Sequence, residues 1–259
     1  PIIAPFLGGY LESLFAWQAN FYFLAIYAGA LFIAELFFSG ETIRNVKKFN
    51  LKKTSMLYMV MLKNKAFVFG ILILGMAYST VMVFNIAGPF VVEHHFGFNA
   101  VTTGYCTLIL GISWMIGGII SKTFSKQNFS RKLKVSAFTQ IILLVLFVIA
   151  AAQLDQLYLL IIFAFLIHIV SGFIFTNYFT QNMIYFPSNA GIAGGLIGGL
   201  LYIITSIISF LISSSGEIAS TFDMSIRYLG VGIPLVLVIF YSTFLILKKQ
   251  QKKAKITTV

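Results

Sequence analysis

Long apolar runs alternate with short polar breaks along this chain, and most of the runs are of membrane-spanning length. Eight can be marked, over residues 1–14, 18–38, 66–88, 100–121, 135–153, 157–178, 190–214 and 226–247. A helix needs about 20 predominantly apolar residues to cross a bilayer, and every run except the first supplies about that. The first opens "PIIAPFLGGY", with Pro5, Gly8 and Gly9 inside it. It is too short to cross alone and is expected to be the end of a longer helix. The pattern therefore predicts an all-α polytopic transmembrane bundle of about eight helices. The longest polar interval, 39–65, holds no domain-sized core and reads as a linker, with a surface helix in "KKTSMLYMVMLKN".

Charge sorts the ends of these runs. If the eight segments alternate in direction, every Lys and Arg except Arg227 falls on one side: Arg44 to Lys65, Lys122 to Lys134, and Lys248 to Lys255. The other side receives Glu12, Glu93, Asp155, Glu217 and Asp223. Cytoplasmic loops carry the excess of Lys and Arg, so the basic side and the C-terminus are expected in the cytoplasm. Composition agrees with an integral membrane protein. The chain is 59% hydrophobic and 10% charged, with a mean hydropathy of +0.95, whereas soluble domains carry about 25% charge. The net charge of +11 is then a topology signal and not a nucleic-acid footprint. Cys106 is the only cysteine, so no intrachain disulfide can form. No metal-ligand spacing, cofactor motif or nucleophile–base–acid constellation stands out, and an enzyme is not expected.

Polar and small residues inside the runs are the candidates for function. Gly191, Gly195, Gly198, Tyr202, Thr205 and Ser209 recur at helical spacing on one stripe. That stripe suits close helix packing, or a surface that slides against a neighbour and ends in a cavity wall. Tyr78, Met82 and Asn85 share a face that ends at Pro89; an amide in lipid wants a partner helix or water. His168 lies mid-segment on a face with Ala164, Ser171, Gly172 and Phe175. Intramembrane ionisable groups face the bundle interior or a watery cavity and mark ion pathways, but a neutral His hydrogen-bonded between helices is the commoner case. Glu35 reads as interfacial, Trp17, Tyr22 and Trp114 as anchors or packing, and His94-His95 as too little for a metal site. A few of the 28 Phe could form a hydrophobic binding wall.

Three stretches carry a resemblance. "PIIAPFLGGYL" is similar to the Gly/Pro-rich antiporter motif in the fifth span of major facilitator superfamily transporters, with Ala4 in place of a motif glycine and Pro5, Gly8 and Gly9 in register. Trp17-Gln18 and Phe21 follow as in many such proteins, and "LFFSGET" resembles the end of the sixth span, with Gly40 in place of Pro. "AGPFVVEHHFGFNAVTTGY" resembles the junction of spans seven and eight in the Bcr/CflA group of drug-resistance exporters, through Pro89, Phe90, Glu93, Phe96, Gly97 and Gly104. "GGIISKTFSKQNFSRK" resembles a second-half counterpart of the Gly-x-x-x-Asp-Arg loop, without its acidic member.

The resemblance implies a major facilitator fold, N-terminally truncated, with the chain as spans five to twelve. Residues 1–38 would end the first six-helix half, 39–65 form the central loop, 66–247 the second half and 248–259 a basic tail. It also implies proton-coupled export of small amphipathic drugs or metabolites by alternating access, in a bacterial inner membrane, by a protein that is monomeric when full length. Its partners would be a small-molecule substrate, protons and the lipid bilayer. Tyr78, Asn85, Ser171, Tyr202 and Thr205 are then the expected substrate contacts, and His168 the proton-coupling candidate. Ala4, Pro5, Gly8 and Gly9 are expected to make a bent, closely packed helix between the halves. An uptake symporter of the same superfamily, or a non-transporting membrane remnant, remains the alternative.

Overall fold

A computed structural model describes residues 3–40 and 50–257, with side chains to Leu245. Arg44, Lys47, Lys48, the end of "LFFSGET" and the side chains of the basic tail lie outside the described residues. The helices are α1 (Ala4–Phe15), α2 (Gln18–Phe38), α3 (Leu51–Lys63), α4 (Lys65–Phe90), α5 (Ala100–Thr123), α6 (Phe129–Ala151), α7 (Leu157–Tyr185), α8 (Ala190–Ser213) and α9 (Thr221–Thr257). There is no strand among the described residues. All but α1 and α3 are long and apolar enough to cross a membrane. The helix expected in the 39–65 linker is α3, and the short first run is α1.

Local chemistry sets the helix starts. Asn50, Asn64, Asn99 and Asn128 each precede a helix, and each side chain accepts a hydrogen bond from the backbone amide three residues on, at 2.9–3.4 Å. Such caps satisfy amides that would otherwise lack a partner. α9 begins at Thr221, before the apolar run, because Ser220 and Asp223 cap each other: the Asp223 amide donates to Ser220 Oγ (3.0 Å), and that hydroxyl donates to Asp223 Oδ2 (2.7 Å). α4 runs through Pro89 and ends in a π-helical turn, Val91–His95, where the Phe96 amide reaches back to Val91 O at 3.0 Å. The proline removes one amide from the ladder, and the wider turn re-registers the carbonyls beyond it.

Glycines govern how closely the helices approach. α5 lies against α7 and α6 against α9, while α4 sits between α7, α8 and α9. A Cβ on Gly172 would stand 2.5 Å from Trp114 O, and one on Gly117 would collide with Ile169 O, so α5 and α7 meet backbone to backbone. A Cβ on Gly75 would stand 2.6 Å from Ile204 Cγ2, which brings α4 onto α8. Gly70 takes in the Asn182 amide, and Gly232 the end of Leu144. Among the described residues, Gly191, Gly194, Gly195, Gly198 and Gly199 of α8 have nothing within 4 Å of a would-be Cβ, so the α8 stripe makes no close packing contact there. α2 likewise buries no residue.

The core has two apolar parts. One includes Phe84, Ala87, Phe147, Ile167 and Tyr228; the other includes Phe67, Ile71, Leu133, Ile174 and Ile239. Between them, near the midpoints of their helices, lie the buried polar residues Ser79, Thr80, Ser113, Gln140, His168, Ser171 and Thr205.

Overpacking a filled site costs about 1–3 kcal/mol. Gly172→Leu should therefore lower the thermal stability of the detergent-solubilised chain clearly, whereas Gly195→Leu should leave it within about 0.5 kcal/mol. Thermal unfolding of both variants against the parent chain checks this; equal losses would refute the assignment of the α5–α7 contact.

Candidate functional site: an aromatic cluster at mid-bundle

Four helices contribute to one aromatic cluster. Tyr78 of α4 lies between Trp114 of α5, Phe175 of α7 and Tyr202 of α8, with ring centroids at 6.3, 6.4 and 6.3 Å. Trp114 and Phe175 are 5.2 Å apart, and Phe179 stacks beyond Phe175 at 6.1 Å. The backbone contacts place these rings. Gly172 sits on the Trp114 carbonyl, and Phe175 is one turn further along the same helix face. Gly75 sits on Ile204, and Tyr78 is one turn from it. Tyr78, Trp114 and Phe175 are half-buried, and Tyr202 is 63% exposed. The cluster is an aromatic wall open on one side, and its two tyrosine hydroxyls and the Trp114 indole N–H are the polar groups it offers. No Lys, Arg, Asp or Glu lies within the central turns of these four helices. Such a surface suits an uncharged or weakly polar aromatic molecule, held by stacking and oriented by one or two hydrogen bonds.

The structure thus brings Tyr78 and Tyr202 together and places the other expected contacts elsewhere. Ser171 is buried and accepts from Gln140 Nε2 at 3.2 Å, facing α6. Thr205 is buried and donates to Leu201 O of its own helix at 2.9 Å. Asn85 is exposed; its amide lies 3.9 Å from Met82 Sδ, and about two turns of α4 separate it from Tyr78. His168 is fully buried, shares a 3.0 Å hydrogen bond between Nε2 and the Tyr228 hydroxyl, and leaves Nδ1 unpartnered among the described residues. Trp114 and Phe175 were not singled out as contacts from the sequence. Their signal is faint: an aromatic residue mid-span on a helix whose neighbouring positions are glycine.

A second cavity, about 340 Å³, lies between α1, α4 and α5, and Gly8, Gly9, Glu12, Asn20, Asn85 and Glu93 are among its walls. α1 is pressed onto α5 there. A Cβ on Gly9 would stand 2.6 Å from Ala100 O, and one on Gly104 would stand 3.2 Å from Phe6 Cα and 3.3 Å from Pro5 O. Tyr10 and Tyr105 share a 2.6 Å hydroxyl–hydroxyl bond beside Phe6. Ala4 and Pro5 lie at the start of the described part of α1. Gly8 faces the Asn20 amide at 3.4 Å.

At the end of the bundle opposite the basic loops, Asp155 ties three segments together. Its Oδ2 pairs at 2.7 Å with Nε2 of His95, the last residue of the π turn, and its Oδ1 accepts the Thr221 amide at 2.9 Å, at the start of α9. Partial desolvation pushes its carboxyl pKa up, but the Thr221 amide and the His95 ring outweigh it and hold the group below its usual value of 3.8. His94 stacks on Phe90 at 6.1 Å.

Membrane-spanning helices without a charged centre, glycine-set crossings and a partly exposed aromatic cluster at mid-height describe a polytopic membrane bundle. Residues 1–210 match the family described as Major Facilitator Superfamily. The chain belongs to the major facilitator superfamily, a family of secondary transporters, and is an integral membrane protein. A comparison with curated proteins gives no match.

The Asp155 tie has a signed pH dependence. A carboxyl whose pKa is lowered by folding stabilises the fold fully above its unfolded value and loses that contribution as pH falls through the folded value. As pH falls below about 4 the parent chain should progressively lose melting temperature relative to Asp155→Asn, whose amide oxygen can still accept from Thr221; a difference that does not change with acidification would refute the tie. Melting curves of both proteins across this range measure it.

Proposed function

We propose that this protein exports small, amphipathic, aromatic molecules in exchange for protons, by alternating access. The observation that carries the reading is the wall formed by Tyr78, Trp114, Phe175 and Tyr202, contributed by four helices at the height where transporters of two-bundle design hold substrate. Its neutrality favours weakly polar aromatic cargo over anions, which would call for a buried cation. Asn85, in the second cavity, is a further polar contact on the substrate's path. Ser171 and Thr205 serve the same site from the layer behind the wall. His168 is the proton-coupling candidate, as a buried imidazole joined through Nε2 to the Tyr228 hydroxyl of α9.

The basic loops and the C-terminus lie in the cytoplasm, in a bacterial inner membrane, and the resemblance to the Bcr/CflA exporters supports the outward direction. Ala4, Pro5, Gly8 and Gly9 form the packing surface of α1 that closes the space beside α5 against proton leakage.

Cells expressing the full chain should accumulate less of a fluorescent, weakly basic aromatic dye than control cells, and a protonophore should abolish the difference. Trp114→Ala and Tyr202→Ala should each cut efflux by about tenfold, the loss of one stacking contact of roughly 1 kcal/mol or more, while membrane expression persists. Dye uptake that rises with an inward proton gradient would replace export by symport; efflux unaffected by both variants would remove the aromatic wall from the mechanism. Gly9→Leu should separate α1 from α5 and raise the proton leak of reconstituted vesicles, read with an internal pH-sensitive dye.

A further inference from the structure

Away from the aromatic wall, a cavity of about 620 Å³ opens between α5, α6 and α7 at the basic end of the bundle. It runs from Gln127 and Asn128 to Thr139 and Val170, about 15 Å along α6 at 1.5 Å per residue. Its chemistry changes along that length. At the rim stand Arg131 and Lys132. The Arg131 side chain has no ion pair among the described residues. Lys132 Nζ donates to Phe124 O at 3.4 Å and lies 6.0 Å over the Phe129 ring, so its charge meets only neutral groups. No Asp or Glu occurs anywhere between Glu93 and Asp155. The rim also holds the N-terminus of the 23-residue α6, whose dipole adds positive potential.

Deeper in, the walls are apolar: Val135, Ile169, Val170 and Phe173. The hydroxyls there are already used, since Ser136 donates to Leu133 O and Thr139 to Val135 O, both at 3.0 Å. The side of α6 at this level faces outward, with Val135 59% exposed, so in a bilayer the cavity opens onto lipid and not onto water.

We infer that this cavity is a binding site for an anionic glycerophospholipid, with the phosphate held by Arg131 and Lys132 and an acyl chain laid along Val135, Ile169 and Val170. A cationic rim above an apolar slot that opens sideways matches a molecule with an anionic head and a hydrocarbon tail, and basic pockets between membrane helices bind such headgroups. A soluble anion would use the rim and leave the slot empty. The site is separate from the transport pathway and does not depend on the direction of transport or on its cargo.

The test is native mass spectrometry of the full chain, delipidated in detergent and titrated with phosphatidylglycerol or with phosphatidylcholine of the same acyl chains. Phosphatidylglycerol should bind about tenfold or more tightly than phosphatidylcholine, as two nearby cations imply. The double change Arg131→Gln/Lys132→Gln should abolish that preference. Lys122→Gln/Lys126→Gln removes as much charge from the same loop but outside the cavity, and should preserve it. Val135→Trp, which alters no charge, should weaken binding of both lipids by filling the slot. Equal losses in the two double variants would mean diffuse attraction and overturn the site, as would displacement of phosphatidylglycerol by millimolar inorganic phosphate alone. If the Arg131/Lys132 variant fails to fold, Val135→Trp decides: unchanged phosphatidylglycerol binding would overturn the proposal.

Discussion

The structure depends on the approach of α5 and α7 to backbone contact at Gly117 and Gly172. In lipid, burying a leucine against another helix gains little, because acyl chains are as apolar as the side chain they replace. Helices hold together through close van der Waals contact and through the few polar groups that find each other. Gly172 lets the Trp114 carbonyl approach to a distance that a Cβ would forbid. That contact sets the crossing of the two helices and with it the 5.2 Å spacing of Trp114 and Phe175. Gly75 acts in the same way for α4 and α8, and so fixes the other edge of the aromatic wall, where Tyr78 meets Tyr202. The candidate site is therefore a consequence of the packing: its four rings stand where two glycine contacts put them.

Polar groups inside the bundle follow a second constraint. A buried donor with no partner is costly in a medium without water. Most of the hydroxyls at mid-height answer this locally, bonding to carbonyls three or four residues back: Ser79 to Gly75, Thr80 to Met76, Ser113 to Leu110, Thr205 to Leu201. The longer side chains reach across. Gln140 joins α6 to α7 through Ser171, His168 joins α7 to α9 through Tyr228, and Asn182 joins α7 to α4 through Phe67 O. Interhelical bonds of this kind are worth about 0.6–2 kcal/mol each in membranes. α7 takes part in all three, and it also provides Phe175 and one side of the α5 contact. It is the helix through which the others are held in register.

Helix number and approximate position were legible in the sequence because hydropathy alone decides them in a membrane. The ends were less so. The last apolar run begins at Ile226, whereas α9 begins at Thr221 behind the Ser220–Asp223 cap, and α7 extends past Tyr178 to Tyr185, where Asn182 meets Gly70 and Phe67 on α4. The seven-to-eight junction looked like a helix stop at Pro89; the chain instead continues through a π turn. At the site, Tyr78 and Tyr202 could be picked out as polar-capable aromatics on plausible faces. Trp114 and Phe175 could not, since the sequence holds 28 Phe and gives no sign of which one a glycine contact between helices will bring against Tyr78. Ser171 and Thr205 fall near the same helix faces by spacing, yet both are buried, the one bonded to Gln140 of α6 and the other to Leu201 O of its own helix.

The two ends of the bundle are held by different means, and this bears on how the proposed cycle would work. Opposite the basic loops, Asp155 joins the π turn, the α6–α7 connection and the start of α9, while Arg227 donates to Ser215 O at 2.8 Å and closes the α8–α9 turn. At the other end Asn182 locks α4 to α7. Helices α4 to α9 are thereby braced above and below the aromatic wall, which favours their moving as one body. The contact of α1 with α5 is of another kind. It rests on two glycine approaches and one tyrosine pair, with the cavity carrying Glu12 and Glu93 directly beside it. Close backbone contact on small residues can tilt with little steric cost, and the Tyr10–Tyr105 bond is the side-chain link that such a tilt would have to break. If two bundles rock about a fixed site, the α1–α5 contact is the place where the described chain allows it, and a side chain as large as leucine at Gly9 would turn a pivot into a wedge.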